Sequence, residues 1–181
     1  SMANERPFSQ KPKEIPKAFP DPEQLNLICA KLKHAKKPIF IVGHGVWWSK
    51  AETILSKVAN SLSIPIFNVP YHQKLLPETD ECYMGLADFH QYSPSKHAIQ
   101  NSDCIIMIGG RLDNQMNFGN PPFFPKHTDL ICINGSHEEI QFNMAADYAL
   151  LSEPNAFFNS LLNRSVDLVS NEKENWLIEN K

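Results

Sequence analysis

Pro38-Ile39-Phe40-Ile41-Val42-Gly43-His44-Gly45 is an apolar run that stops on a glycine turn, and Cys104-Ile105-Ile106-Met107-Ile108-Gly109-Gly110-Arg111 repeats the pattern later in the chain. Neither run alternates polar with apolar residues. β-Branched residues without alternation predict strands covered on both faces, as in a parallel sheet. Glycine just past such a strand permits a tight turn and the close approach of another group. In open parallel sheets the crevice beyond the strand ends is where nucleotides bind. The two runs therefore predict a doubly wound α/β domain with a nucleotide-type crevice.

Between and around them the chain alternates helical and strand patterns. Leu25, Ile28, Cys29 and Leu32 recur at helical spacing, which predicts a helix from Asp21 or Pro22 to Lys33. A second helix is predicted from Ser49 to Leu62, with Ser49 and Glu52 as a capping box. Pro65–Val69, Leu130–Ile133 and Tyr148–Leu151 read as further strands, the last at an edge. Ser93-Pro94 opens a helix to Asn101, His137–Phe142 a helical turn, and Glu153–Leu162 a closing helix. Residues 70–92 read as one long irregular loop of the kind that tends to be functional. Residues 1–20 carry Pro7, Pro12, Pro16 and Pro20 and read as an extended linker. The domain is placed at 21–164. Residues 165–181, polar and acidic apart from Trp176 and Leu177, read as a second linker or a frayed helix. Two such tails are what an excised domain would show.

Composition narrows the function classes. A net charge of -3 gives no electrostatic case for nucleic acid. No run reaches the ~20 apolar residues that span a bilayer, so no membrane partner is expected. The four cysteines, Cys29, Cys82, Cys104 and Cys132, form no C-x-x-C pair and read as reduced thiols, hence a cytoplasmic setting. The histidines lack metal-ligand spacing, so no metal site is expected, and no nucleophile elbow, P-loop or kinase set marks a catalytic residue.

The candidate binding residues lie on the glycine turns. Gly43-His44-Gly45 is a fragment of the dinucleotide fingerprint, with Trp48 where its third glycine would stand. Its N–H groups either face a phosphate or simply close a strand-to-helix turn. Gly109-Gly110-Arg111 adds a bidentate cation suited to phosphate. Asp113 is placed to pair with Arg111 or to accept from a ribose hydroxyl. His90 lies in the long loop, facing either the crevice or solvent. Trp47 and Trp48 read as one core residue and one surface or interface residue.

Taken in order, these pieces resemble the central domain of thiamine-diphosphate-dependent enzymes of the acetolactate synthase type, including the oxalyl-CoA decarboxylase and 2-hydroxyacyl-CoA lyase branches. The resemblance runs from Asp21 to Leu162. It is carried by residues 35–45, Leu62-Ser63-Ile64-Pro65-Ile66, Leu76-Pro77-Glu78, Tyr83-Met84-Gly85, His90, and Asn101 through Asp113. Phe118-Gly119 with Pro121-Pro122 is similar to the lyase and decarboxylase branches in particular.

The resemblance implies a three-layer, Rossmann-like sheet of about six mostly parallel strands, of the DHS-like NAD/FAD-binding kind. It implies a domain set between pyrimidine- and diphosphate-binding domains that hold thiamine diphosphate and Mg²⁺, in a homo-oligomer. The chain alone would then be catalytically inert. The crevice would take FAD, ADP or nothing, along Gly43, His44, Gly45, His90, Gly109, Gly110, Arg111, Asp113 and Asn134. Three departures point to a weakened site: Asn134-Gly135-Ser136 replaces the family's acidic pattern, Gln91 replaces a glycine, and Ser152-Glu153 replaces a glycine–aspartate pair. The alternatives are a stand-alone FAD/NAD-binding module and a sirtuin-like enzyme. The latter needs a zinc module that unpaired cysteines do not supply.

Overall fold

The computed structural model describes residues 16–70, 74–88, 94–142 and 146–181. Helix α1 (Pro22–His34) begins at Asp21, whose carboxylate accepts from the Glu23 and Gln24 N–H groups at 3.1 and 3.0 Å. That cap, with proline in the first turn, is why the helix starts there. Strand β1 (Pro38–Val42) leads into a five-residue helix α2 (His44–Trp48) and then α3 (Glu52–Leu62). Strands β2 (Ile66–Asn68) and β3 (Tyr83–Leu86) follow, then α4 (Pro94–Asn101), β4 (Cys104–Ile108), β5 (Asp129–Asn134), α5 (His137–Phe142), β6 (Tyr148–Leu151), α6 (Pro154–Leu162) and α7 (Asn171–Glu179).

The strands form one sheet in the order β3-β2-β1-β4-β5-β6, every pair parallel. The chain builds outward from β1 to β3, returns to β4 on the other side of β1, and builds outward again. The crossing point is between β1 and β4, whose C-terminal ends are Val42 and Ile108. That topological switch is where a doubly wound sheet opens a crevice.

Side chains alternate across the sheet and give two cores. Phe40, Val42, Ile106, Ile108, Ile131 and Ile133 pack under α1, α3 and α6. Ile39, Ile41, Ile105, Met107 and Cys132 face Ala98 and Ile99 of α4, Phe123, Phe124 and Trp176 of α7. Both faces are covered, so β1 and β4 are buried along their whole length, as their uninterrupted apolar runs require. Helix α3 buries Leu55, Val58, Ala59 and Leu62. Each of its two leucines and its valine contributes roughly 1.5–3 kcal/mol of transfer free energy.

Four expectations need correction. The segment at 70–92 is not all irregular, because β3 forms there as the edge strand beside β2. The Ser49–Glu52 capping box does not form. Ser49 ends α2 instead, its hydroxyl donating to the Val46 carbonyl at 3.1 Å. Lys50 then turns with φ 52°, and α3 begins at Glu52 without a side-chain cap. Trp47 is no core residue. The buried member of α2 is Val46, while Trp47 and Trp48 are 38% and 74% exposed.

The fourth concerns the C-terminal segment, which is neither loose nor frayed. Ser170 caps α7 by accepting from the Lys173 N–H. Trp176 is 1% exposed and its indole N–H donates to the Pro38 carbonyl at 3.1 Å. Lys37 lies 4.9 Å above the same ring. Lys173 is enclosed, its ammonium donating to the Leu168 carbonyl at 2.6 Å, and burial pushes its pKa down. At the other end, the Ala18 carbonyl accepts from the Glu153 N–H at 2.8 Å, so the residues just before α1 lie against the β6–α6 turn.

Candidate functional site

The β1 and β4 turns meet backbone to backbone at the switch point. The Gly43 N–H donates to the Ile108 carbonyl and the Gly45 N–H to the Gly109 carbonyl, both at 2.9 Å. The Gly109 N–H donates to Ile133 at 2.8 Å and the Val46 N–H to Gly43 at 3.0 Å. Gly109 takes φ +62°, and a Cβ there would lie 2.7 Å from the Gly45 Cα. A Cβ on Gly43 would lie 2.5 Å from the Gly109 carbonyl oxygen. These glycines let two turns interlock.

Outside the interlock lies a crevice of about 510 Å³. It brings together seven of the residues singled out in the sequence: His44, Gly45, Gly109, Gly110, Arg111, Asp113 and Asn134. Gly43 sits behind them, against Gly109 and Gly110. His90 lies outside the described residues, as do Gln91 and most of its neighbours in the loop. The crevice also gathers Glu139, which the motif reading did not single out, beside Trp48, Ser136 and Glu153, which it read as departures from the family's glycine and acidic patterns.

Arg111 is held in a way the sequence did not disclose. Its Nε and Nη2 donate to the two carboxylate oxygens of Glu139, 28 residues away. Phe142, one turn further along α5, places its ring centroid 5.5 Å from the guanidinium carbon. Asp113 does not take Arg111 as a hydrogen-bond partner. Its carboxylate caps the following turn, accepting from the Gln115 N–H at 2.9 Å. Asn134 Oδ1 accepts from the Ser136 N–H at 3.2 Å, and Ser136 Oγ from the Glu139 N–H at 3.4 Å. The β5–α5 turn thus fixes where Glu139 points.

The pairing sets the titration of both groups. Hydrogen bonds and charge from Arg111 hold the Glu139 carboxyl below its usual 4.5, and Glu139 raises the Arg111 pKa further. A carboxyl whose folded pKa lies below its unfolded one adds stability above the unfolded value and loses it as pH falls through the folded one. The clamp is therefore intact at neutral pH and opens in acid, on the low side of 4.5. Carbon-detected NMR titration should place the Glu139 midpoint below 4.5, and Arg111→Ala should move it upward.

The crevice can be tested for a pyrophosphate. Its described lining carries three carboxylates, Asp113, Glu139 and Glu153, against one guanidinium. The N–H groups of Gly43, Gly45, Val46 and Gly109 already serve backbone carbonyls. Helix α2 has five residues, too short for a strong helix dipole. Position suits a nucleotide here, but the charge does not.

A larger depression of about 910 Å³ lies along β3, among Lys74, Tyr83, His97 and Glu179. It is away from the switch point, and its Lys74 is paired with Glu78 at 2.8 Å. Among the described residues no three His, Cys, Asp or Glu side chains gather as metal ligands, and no helix is long and apolar enough to cross a membrane. All four cysteines are buried and none is in a disulfide, and burial pushes the Cys82 and Cys104 thiols up to about 12.

Comparison with known proteins gives concordant results. Residues 25–161 match the family described as thiamine pyrophosphate enzyme, central domain. The chain is 28% identical over 142 residues to 2-hydroxyacyl-CoA lyase 1 of Mus musculus, covering 77% of this chain and 23% of that protein. It is 26% identical over 155 residues to the acetolactate synthase large subunit of Lactococcus lactis, covering 86% and 26%. Among solved structures, benzoylformate decarboxylase from Polynucleobacter necessarius shares the fold with TM-score 0.73 at 19% identity, covering 94% of this chain and 31% of that one. The chain thus spans about a quarter of the length of the curated relatives it matches.

Proposed function

The chain belongs to the thiamine pyrophosphate enzyme central-domain family, and from that membership we propose that it is the non-catalytic middle domain of a larger lyase, decarboxylase or transferase of the acetolactate synthase type. In this reading, flanking pyrimidine- and diphosphate-binding domains hold thiamine diphosphate and Mg²⁺, and the intact enzyme is a homo-oligomer. The cofactor supplies the electron sink when bound there. This chain supplies a rigid spacer. Its four reduced thiols suit a cytoplasmic parent.

The observation that carries the reading is the switch point itself. The glycine turns interlock with each other, and the crevice arginine is already paired. In this reading no nucleotide resides in the crevice. A second reading, an ADP or FAD site on Gly43, His44, Gly45, His90, Gly109, Gly110, Arg111, Asp113 and Asn134, is favoured by position alone, because seven of these residues line the crevice. It also covers the alternative of a stand-alone FAD/NAD-binding module.

Isothermal titration of the chain with ADP, FAD and NAD separates the two. The spacer reading expects no binding tighter than about 1 mM, a free energy near -4 kcal/mol. Micromolar binding of any one of them, abolished by Arg111→Ala, would overturn it.

A further inference from the structure

Arg111 is the only lysine or arginine among the described residues that line the crevice. We propose that Glu139 acts as a built-in anion, its carboxylate holding the position on Arg111 that a ligand phosphate would take. The inference deepens the spacer reading and rests on it.

Geometry supports the substitution of one anion for the other. Nε and Nη2 form the bidentate edge of a guanidinium, the edge that matches either a carboxylate or a phosphate. Glu139 occupies both of its positions. The carboxylate is also fixed in place. The Asn134–Ser136 turn holds the start of α5, and Ser136 Oγ accepts from the Glu139 N–H itself. Phe142 covers the guanidinium from the same helix. The Glu139 side chain is 25% exposed and that of Arg111 57%, so the anion is the more sheltered member of the pair.

Tethering decides the competition. A carboxylate held on the same chain acts at a high effective concentration, about millimolar or above, and a free phosphate must displace it. A phosphate would also meet the charge of Glu139 once displaced, together with Asp113 and Glu153. Removing Glu139 does two things at once. It frees the arginine fork and leaves two carboxylates in place of three. Glu139 is thus the residue that sets this crevice against phosphate-bearing ligands.

The test uses the whole chain with ADP and inorganic pyrophosphate as probes. Calorimetry is run on wild type, Glu139→Ala, Glu139→Gln and the double variant Arg111→Ala/Glu139→Ala. Thermal unfolding reports that each variant is folded. Both probes should bind Glu139→Ala at least about tenfold more tightly than wild type, the value of a charge-assisted hydrogen bond, and the double variant should lose the gain. Glu139→Gln, which keeps the side-chain shape, should gain in the same direction and carries the test if the alanine variant does not fold. Unchanged affinity in the folded variants, or a gain that persists without Arg111, would overturn the proposal. Micromolar binding by wild type would instead overturn the spacer reading, so the two failures are read from different samples.

Discussion

Gly109→Ala should destabilise the fold by about 3 kcal/mol, the sum of left-handed backbone strain and overpacking. The residue sits at φ +62°, and its new Cβ would meet Gly45 Cα at 2.7 Å, Gly45 C at 2.9 Å and Val46 N at 2.9 Å. All three are backbone atoms, so no side chain can swing aside. Relief requires β4 and α2 to separate, which breaks the Gly45–Gly109 hydrogen bond as well. For a domain of this size the melting temperature should fall by roughly 10 °C. Gly110→Ala is the control. Its Cβ would meet the Met107 sulfur at 2.7 Å, the flexible end of a side chain that can move. That variant should cost about 1 kcal/mol or less. Urea unfolding of the two variants checks the contrast. Equal losses would mean that the turns do not interlock as described.

Trp176→Ala should cost about 4 kcal/mol, within the range for deleting a large buried aromatic. The indole is 1% exposed in the second core, beside Ile39 and Ile41. Its N–H bond to the Pro38 carbonyl ties α7 to the first residue of β1. Trp176→Phe keeps most of the apolar area and loses the hydrogen bond, so about 1–2 kcal/mol is expected. Since single domains are stable by only about 5–15 kcal/mol, the alanine variant should be visibly less stable at room temperature. Chemical denaturation gives the number. A loss under about 1 kcal/mol would mean that α7 is not docked on the sheet.

How legible each part was depended on how local its cause is. β1 and β4 appear with the bounds read from the sequence, because an unbroken apolar run between turn residues has few other outcomes. The apolar face of α1 was equally plain, since Leu25, Ile28, Cys29 and Leu32 are all buried. β3 escaped notice because Tyr83-Met84-Gly85-Leu86 holds a glycine and no β-branched residue, and its pairing with β2 alone makes it a strand. The docking of α7, read as a linker or a frayed helix, escaped notice because Asn171–Glu179 is mostly polar and packs largely through Trp176 and Leu177.

The site divides in the same way. Strand-end glycines announce a switch point by type and place, and the crevice was found where they indicated. The partner of Arg111 was not readable. Asp113, two residues on, looked closer than Glu139, and only the β5–α5 turn decides between them. The signal was an acidic first turn on α5 directly after a strand end, Glu138 and Glu139. Its meaning depended on parallel pairing of β4 with β5, which sets the two C-terminal ends side by side.

The most direct test of a non-catalytic middle domain is calorimetric titration of the chain with thiamine diphosphate in the presence of Mg²⁺. The expected result is no binding heat up to about millimolar cofactor. Saturable binding in the micromolar range would place the cofactor within this chain and contradict the account.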